Sequence, residues 1–227
     1  MSTTKTKALL ACGAVGGPAF VIVFLIEGAT RIDYSPLRQP VSSLSIGDSG
    51  WIQIANFITT GCLLLAFAMG LRRALRPSRD STWGSLLVGF LAIGLIGAGV
   101  FIADPLNGYP PGTAVLPTER TVHGRLHDLF GLPVFLGLPI ACLVFSRVFV
   151  RLGKRGWGIY SACSGFLMFV AFVLSGMGFS QNPSLVNVAG LFQRVSITVG
   201  WSWMTLLAVY LLRGRGSARS LGPSGCE

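Results

Sequence analysis

The chain carries six stretches of about twenty mostly apolar residues: approximately Ala8–Gly28, Trp51–Leu71, Trp83–Ala103, Leu126–Phe149, Trp157–Phe179 and Val188–Leu212. A helix rises about 1.5 Å per residue, so some twenty residues cross a hydrocarbon core about 30 Å thick. Inside that core each backbone N–H and C=O must find a partner within the chain, and a helix supplies one for nearly all of them. The pattern predicts an all-α fold: a polytopic membrane bundle of six transmembrane helices over residues 1–212. A flexible, basic tail follows over residues 213–227. Composition agrees, because only 11% of the 227 residues are charged, against about 25% in soluble domains. Trp51, Trp83 and Trp157 open three of the stretches, and an indole ring favours the membrane interface.

The formal net charge is +10, which raises the question of nucleic acid. The placement of the charges excludes it. With the N-terminus cytoplasmic, thirteen of the 18 basic residues fall on the inner side: Lys5, Lys7, Arg72, Arg73, Arg76, Arg79, Arg147, Arg151, Lys154, Arg155, Arg213, Arg215 and Arg219. Arg31, Arg38, Arg120, Arg125 and Arg194 fall on the other. This bias in short loops fixes both termini in the cytoplasm and marks contacts with anionic lipid. Of the acids, only Asp80 and Glu227 lie inside, whereas Glu27, Asp33, Asp48, Asp104, Glu119 and Asp128 lie at or near the outer side. No loop is large enough to organise a nucleic-acid groove. The expected location is a bacterial inner (cytoplasmic) membrane.

Lys5 and Lys7 precede an apolar run, as in a signal peptide, and Leu9-Leu10-Ala11-Cys12 looks like a lipoprotein cleavage site. Too few apolar residues separate Lys7 from that site for a hydrophobic region of about 7–15 residues. The run continues to Ile26, so an uncleaved first helix is expected. The five cysteines, Cys12, Cys62, Cys142, Cys163 and Cys226, form no CxxC pair. Four lie in apolar stretches, where Cys behaves as a small apolar residue. Neither a disulfide framework nor a thiolate metal site is expected.

The residues with chemistry gather on the outer side. His123 and His127 open the fourth stretch and are the only histidines. Four residues apart in a helix, they share a face, about 40° apart in rotation. That geometry suits chelation of a divalent metal. It also suits a simpler role, capping the helix and bonding a loop carboxylate, and this second reading is favoured over metal. Asp128, about 100° further round, is placed to pair with Arg125 at i−3. Asp104 closes the third stretch, where the helix dipole disfavours an acid, so a nearby His or Arg is expected to compensate. It would orient a histidine or cap its own turn. His123, His127, Asp104 and Asp128 are the candidate acid/base groups.

The loops Arg31–Gly50 and Asp104–Val122 are each about twenty residues long, a length often associated with function. Arg38, with Ser42 and Ser43 close by, suits a phosphate or carboxylate. The two serines equally suit the cap of a short helix. No Gly-x-Ser-x-Gly elbow marks a nucleophile. The segment Asp104–Gly112 is full of turn residues and is expected to form a compact cap. Within the spans, Glu27, Gln193 and Arg194 are polar. Arg194 is expected to face the bundle and meet Asp128 or Glu27, since an unpaired charge at that depth costs a few kcal/mol. Arg38, Ser42, Ser43 and Arg194 are the candidate substrate-binding residues. Pro133 and Pro139 free the carbonyls of Leu129 and Phe135 in the fourth stretch.

These motifs resemble those of a bacterial membrane family catalogued as domain of unknown function 998. The resemblance is carried by Tyr34-Ser35-Pro36-Leu37-Arg38-Gln39-Pro40-Val41-Ser42-Ser43-Leu44 and Gly50-Trp51-Ile52-Gln53-Ile54-Ala55-Asn56-Phe57. Ala103-Asp104-Pro105 and His123-Gly124-Arg125-Leu126-His127-Asp128 complete it, over about Ala11 to Leu212. It implies six helices and supplies no activity. A weaker resemblance is to membrane hydrolases that bind zinc through intramembrane histidines, from which this chain departs in lacking a third His. Two functions are expected to compete: an enzyme acting at the outer leaflet on a lipid or other amphiphile, and a non-catalytic lipid-binding, sensing or assembly protein. A small transporter is the third.

Overall fold

The computed structural model describes residues 3–75, 79–117 and 119–217. Its helices are α1 (Thr3–Thr30), α2 (Gly50–Ala74), α3 (Arg79–Val100), α4 (Val122–Leu132), α5 (Leu138–Arg151), α6 (Arg155–Phe179) and α7 (Ala189–Ser217). A single π-helical turn, Pro133–Gly137, joins α4 to α5, so that Val122–Arg151 forms one span. Six helices are thus long and apolar enough to cross a membrane, and the described residues form no strand. The protein is all-α, as its six apolar stretches predict.

The widened turn lies where two prolines interrupt the ladder. Pro133 and Pro139 have no N–H to offer the carbonyls of Leu129 and Phe135, and a helix relieved of those bonds can accommodate an extra residue in the turn between them.

Each span packs against its sequence neighbours, and the first closes on the last through α1 and α7, giving a ring. Close packing, not hydrophobic burial, joins helices in lipid, and small residues in α2 and α3 permit it. A Cβ on Gly97 would stand 2.3 Å from the Phe130 ring of α4, and one on Gly61 would stand 2.9 Å from the Ala92 carbonyl of α3. In the middle of the ring Phe20 meets Phe57 at 5.6 Å and Trp201 at 5.4 Å between ring centroids. The outer surface is apolar, with Ile22, Phe90 and Phe166 more than half exposed, as a lipid-facing surface requires.

Trp51 and Trp83 stand exposed at the starts of their spans. Trp157 does not. It lies between Phe149 and Tyr210, 5.5 and 4.6 Å away, so it packs the ends of α5, α6 and α7 together. Helix α3 stops at Val100, short of Ala103: Pro105 has no N–H to return to the Phe101 carbonyl, its ring crowds that carbonyl, and it disfavours helical backbone at Asp104. At the other end α7 runs on to Ser217, so residues 213–217 of the expected flexible tail are helical. The rest of the tail, residues 218–227, lies outside the described residues.

The two long loops cap one face of the ring, opposite the face at which the described residues begin and end; we call it the loop face. Asn107 knits the cap. Its Nδ2 donates to the Arg38 carbonyl at 2.9 Å, and its Oδ1 accepts from Gln181 Nε2 at 2.6 Å. Its backbone N–H donates to Val115 O at 2.9 Å. The residue adopts left-handed φ of 55°, which Asn tolerates better than most residues. Tyr109 then stacks edge-on against Tyr34, 5.2 Å between centroids. The segment Asp104–Gly112 is the compact cap its turn residues imply.

Candidate functional site

The site begins where α3 hands over to α4. Thr121 is the N-cap of α4, its Oγ1 accepting from Gly124 N at 2.9 Å. Asp104 grips the same residue, accepting from Thr121 Oγ1 at 2.6 Å and Thr121 N at 3.1 Å. The carboxylate that sits unfavourably at the end of α3 therefore sits favourably at the positive start of α4. Neither histidine hydrogen-bonds Asp104; the cap compensates it together with Arg120, the Arg branch of the expectation, whose Nε lies at 3.7 Å. The glycine of the His-Gly-x-x-His string follows from this contact. A Cβ on Gly124 would lie 2.1 Å from Asp104 Oδ2.

Asp128 pairs with Arg120 and not with Arg125. Arg120 thus bridges the two carboxylates Asp104 and Asp128. Sequence reasoning overlooked it as a site residue, although a base in the turn before a helix bearing an acid was a usable signal.

His123 and His127 separate. His123 is exposed, with its ring edge-on to Phe101 at 5.7 Å. His127 is buried, with Phe57 at 6.1 Å. Its Nδ1 lies 2.9 Å from Ala98 O and 2.8 Å from Phe101 O. Carbonyls only accept, so Nδ1 carries the proton and satisfies the open end of α3. In the neutral form of that ring the lone pair is at Nε2, which has no hydrogen-bond partner among the described residues. Among the described residues no group of three or more His, Cys, Asp or Glu is placed to hold a metal ion.

Arg194 is buried but meets neither Asp128 nor Glu27, which corrects the expected ion pair. Its Nη1 donates to Gln39 O at 3.0 Å and Gly190 O at 3.1 Å, and its Nη2 to the Tyr34 hydroxyl. Its guanidinium carbon lies 5.5 Å from the Tyr34 ring centre and 5.9 Å from that of Phe24. Dipoles and ring faces therefore solvate this cation. Glu27 is held by Arg31 at 2.7 Å, and Arg31 also bonds Leu44 O and Ile46 O. Burial pushes the Tyr34 hydroxyl above its ordinary titration range, and the Arg194 charge only partly offsets that.

Val41–Ser45 forms a short 3-10 helix behind Pro40. Neither Ser42 nor Ser43 caps it. The Val41 N–H donates instead to Gln193 Oε1 of α7 at 2.7 Å. Ser43 is fully buried and its Oγ is unpartnered. Arg38 is half-buried with Nε unpartnered, and its side chain does not line the cleft described next.

Ser42 and Gln193 stand in the walls of two spaces. On the loop side is a cleft of about 510 Å³, walled by Asp104, Arg120, Asp128, Ser42 and Gln193 with Leu106 and Phe179. Within the ring is a cavity of about 60 Å³, walled by Phe20, Phe57, Trp201, His127, Ser42 and Gln193. The π turn adjoins it through Val134 and Phe135. The sequence marked Gln193 only as a polar residue within a span; its place on both walls depends on the rotation of α7.

Six membrane-length helices closed into a ring, with a capped polar cleft at one face, define a polytopic helical membrane protein. The family described as "Protein of unknown function (DUF998)" matches residues 14–210, and the chain belongs to that family. No curated protein and no solved structure matches the chain.

Proposed function

We propose that the protein is a membrane enzyme acting at its loop face on a lipid or other amphiphile. The observation that carries this reading is His127. A neutral imidazole, fixed in one tautomer by two carbonyls, leaves Nε2 as an unsatisfied base on a cavity wall. A general base needs that combination of fixed orientation and a free lone pair. The polar head of a substrate takes the cleft, where Arg120, Asp104 and Asp128 offer both signs of charge, and its apolar part faces the bundle. The excess of Arg and Lys at the other face favours a bacterial inner-membrane location with the loop face outside.

One observation favours a second reading, a non-catalytic binding or sensing protein. The same Nδ1 bonds close the end of α3, so His127 has a structural use. The substitution His127→Asn separates the two. The Asn amide N–H stands close to the position of Nδ1 and retains the tether, but nothing replaces Nε2. Purified wild-type and variant protein are reconstituted with a total lipid extract, and the lipids are compared by mass spectrometry over time. The enzyme reading expects a species consumed by the wild type and untouched by a variant of equal melting temperature. An extract unchanged by the wild type, or changed equally by both, overturns it.

A further inference from the structure

We infer that Ser42 is the nucleophile of an acyl-transfer reaction on the carboxylic ester of an acylated amphiphile. This rests on the enzyme reading of His127 and specifies its chemistry. Three facts carry it. Ser42 and His127 line the same cavity of about 60 Å³, and neither Ser42 Oγ nor His127 Nε2 has a hydrogen-bond partner among the described residues. A hydroxyl and a fixed imidazole that open on one cavity supply the two members of an activated nucleophile; no hydrogen bond joins them in this structure, and substrate binding has to bring them together. The place taken by a carboxylate in a triad, which holds Nδ1–H and sets the tautomer, is filled by the carbonyls of Ala98 and Phe101.

The third fact is Gln193. Its Oε1 is committed to the N–H of Val41, the residue before Ser42, at 2.7 Å. A backbone N–H can only donate, so the amide orientation is fixed and the Nε2 hydrogens are the ones left to bond. They are the donors available to the oxygen of a carbonyl under attack at Ser42, the place an oxyanion-stabilising donor must take. Ser42 and Gln193 also line the open cleft, which gives the ester a way in.

The step balances. Ser42 Oγ bonds to the ester carbon while its proton passes to His127 Nε2. The carbon–oxygen bond to the leaving alcohol breaks, and that alcohol takes the proton from His127. Water then attacks the acyl-serine, giving its proton to His127, and the carboxylic acid departs as the proton returns to Ser42.

The test uses a fluorophosphonate probe, which phosphonylates activated serines, on the purified full-length protein in mild detergent. Peptide mass spectrometry locates the adduct. The expected result is an adduct at Ser42 in the wild type, absent in Ser42→Ala and formed about 100-fold more slowly in His127→Asn. The Ser42 hydroxyl has no protein partner to lose, so Ser42→Ala is expected to melt with the wild type; the wild-type adduct is informative even without it. No adduct at Ser42 on folded wild-type protein, or labelling at equal rates in His127→Asn, overturns the inference. Lipid turnover that needs His127 but survives Ser42→Ala would sink the nucleophile and leave the enzyme standing. Turnover indifferent to His127→Asn would sink both.

Discussion

Replacing Arg194 by Met removes a buried cation while keeping most of the side chain's length. The structure lets the cost be worked out. Two bonds to carbonyls, at 3.0 and 3.1 Å, are worth about 1.5–3 kcal/mol each when the donor is charged. That loss of about 3–6 kcal/mol is offset by several kcal/mol of desolvation that Met does not incur. The expected net destabilisation is about 2 kcal/mol. Coupling says more than size. The partner is the Tyr34 hydroxyl, so Arg194→Met and Tyr34→Phe should be coupled by about 1–2 kcal/mol in a double-mutant cycle. Asp128 is held by Arg120, so Arg194→Met and Asp128→Asn should add within about 0.5 kcal/mol. Equilibrium unfolding in mixed micelles reads all four corners of each cycle. Strong coupling to Asp128 with none to Tyr34 would restore the ion pair that the sequence suggests and refute the dipolar clamp.

Tyr34 also makes stability depend on pH. Its folded-state titration lies above the ordinary tyrosine value because of burial, so the native state holds the proton more tightly than the unfolded chain. Its contribution is complete below about pH 10 and is lost as pH rises through the raised value. Melting temperatures from pH 8 to 11 should fall more steeply in the wild type than in Tyr34→Phe; parallel curves would remove Tyr34 from the account. Gly124→Ala should cost about 1–3 kcal/mol, because the new methyl stands 2.1 Å from Asp104 and must break its bonds to Thr121. Gly176→Ala meets nothing within 4 Å and should be neutral or stabilising by up to about 1 kcal/mol. Equal thermal melts for these two alanines would contradict the close approach. Gly131→Val points a side chain into open space beside the cavity. It should abolish lipid turnover with little change in melting temperature, and full turnover would show that the cavity is not used.

The architecture was legible because the bilayer reduces the problem to length and hydropathy. Six apolar runs imply six helices whatever their tertiary contacts, and the spans agree with the runs to within a few residues at most ends. Where they disagree, the cause is local, as at Pro105 after α3. The site was legible only as an inventory. Asp104, Asp128, His127 and Ser42 do gather at the loop face, but which side chain meets which depends on helix rotation and loop path. The spacing of His123 and His127 indicates a shared face; it cannot show that the end of α3 arrives with two open carbonyls to claim one ring. Nor does a sequence reveal that Tyr34, from a loop, will occupy the place beside Arg194 that an acid was expected to fill.

That exchange of partners bears on function. An intramembrane charge is ordinarily the first residue to suspect of chemistry, and Arg194 is the most deeply placed cation of the loop-face set. Yet its donors are directed to the loop that carries the 3-10 helix and to α7, the two elements that bear Ser42 and Gln193. On the cavity wall, His127 Nε2, Ser42 Oγ, the Gln193 amide N–H and the Trp201 indole N–H are left without partners, all of them neutral. A neutral set in a small, aromatic-walled cavity avoids the desolvation penalty that an ion would carry there. It is suited to moving one proton between a hydroxyl and an imidazole, whereas Arg120 and Asp128 at the cleft rim remain where water can reach them.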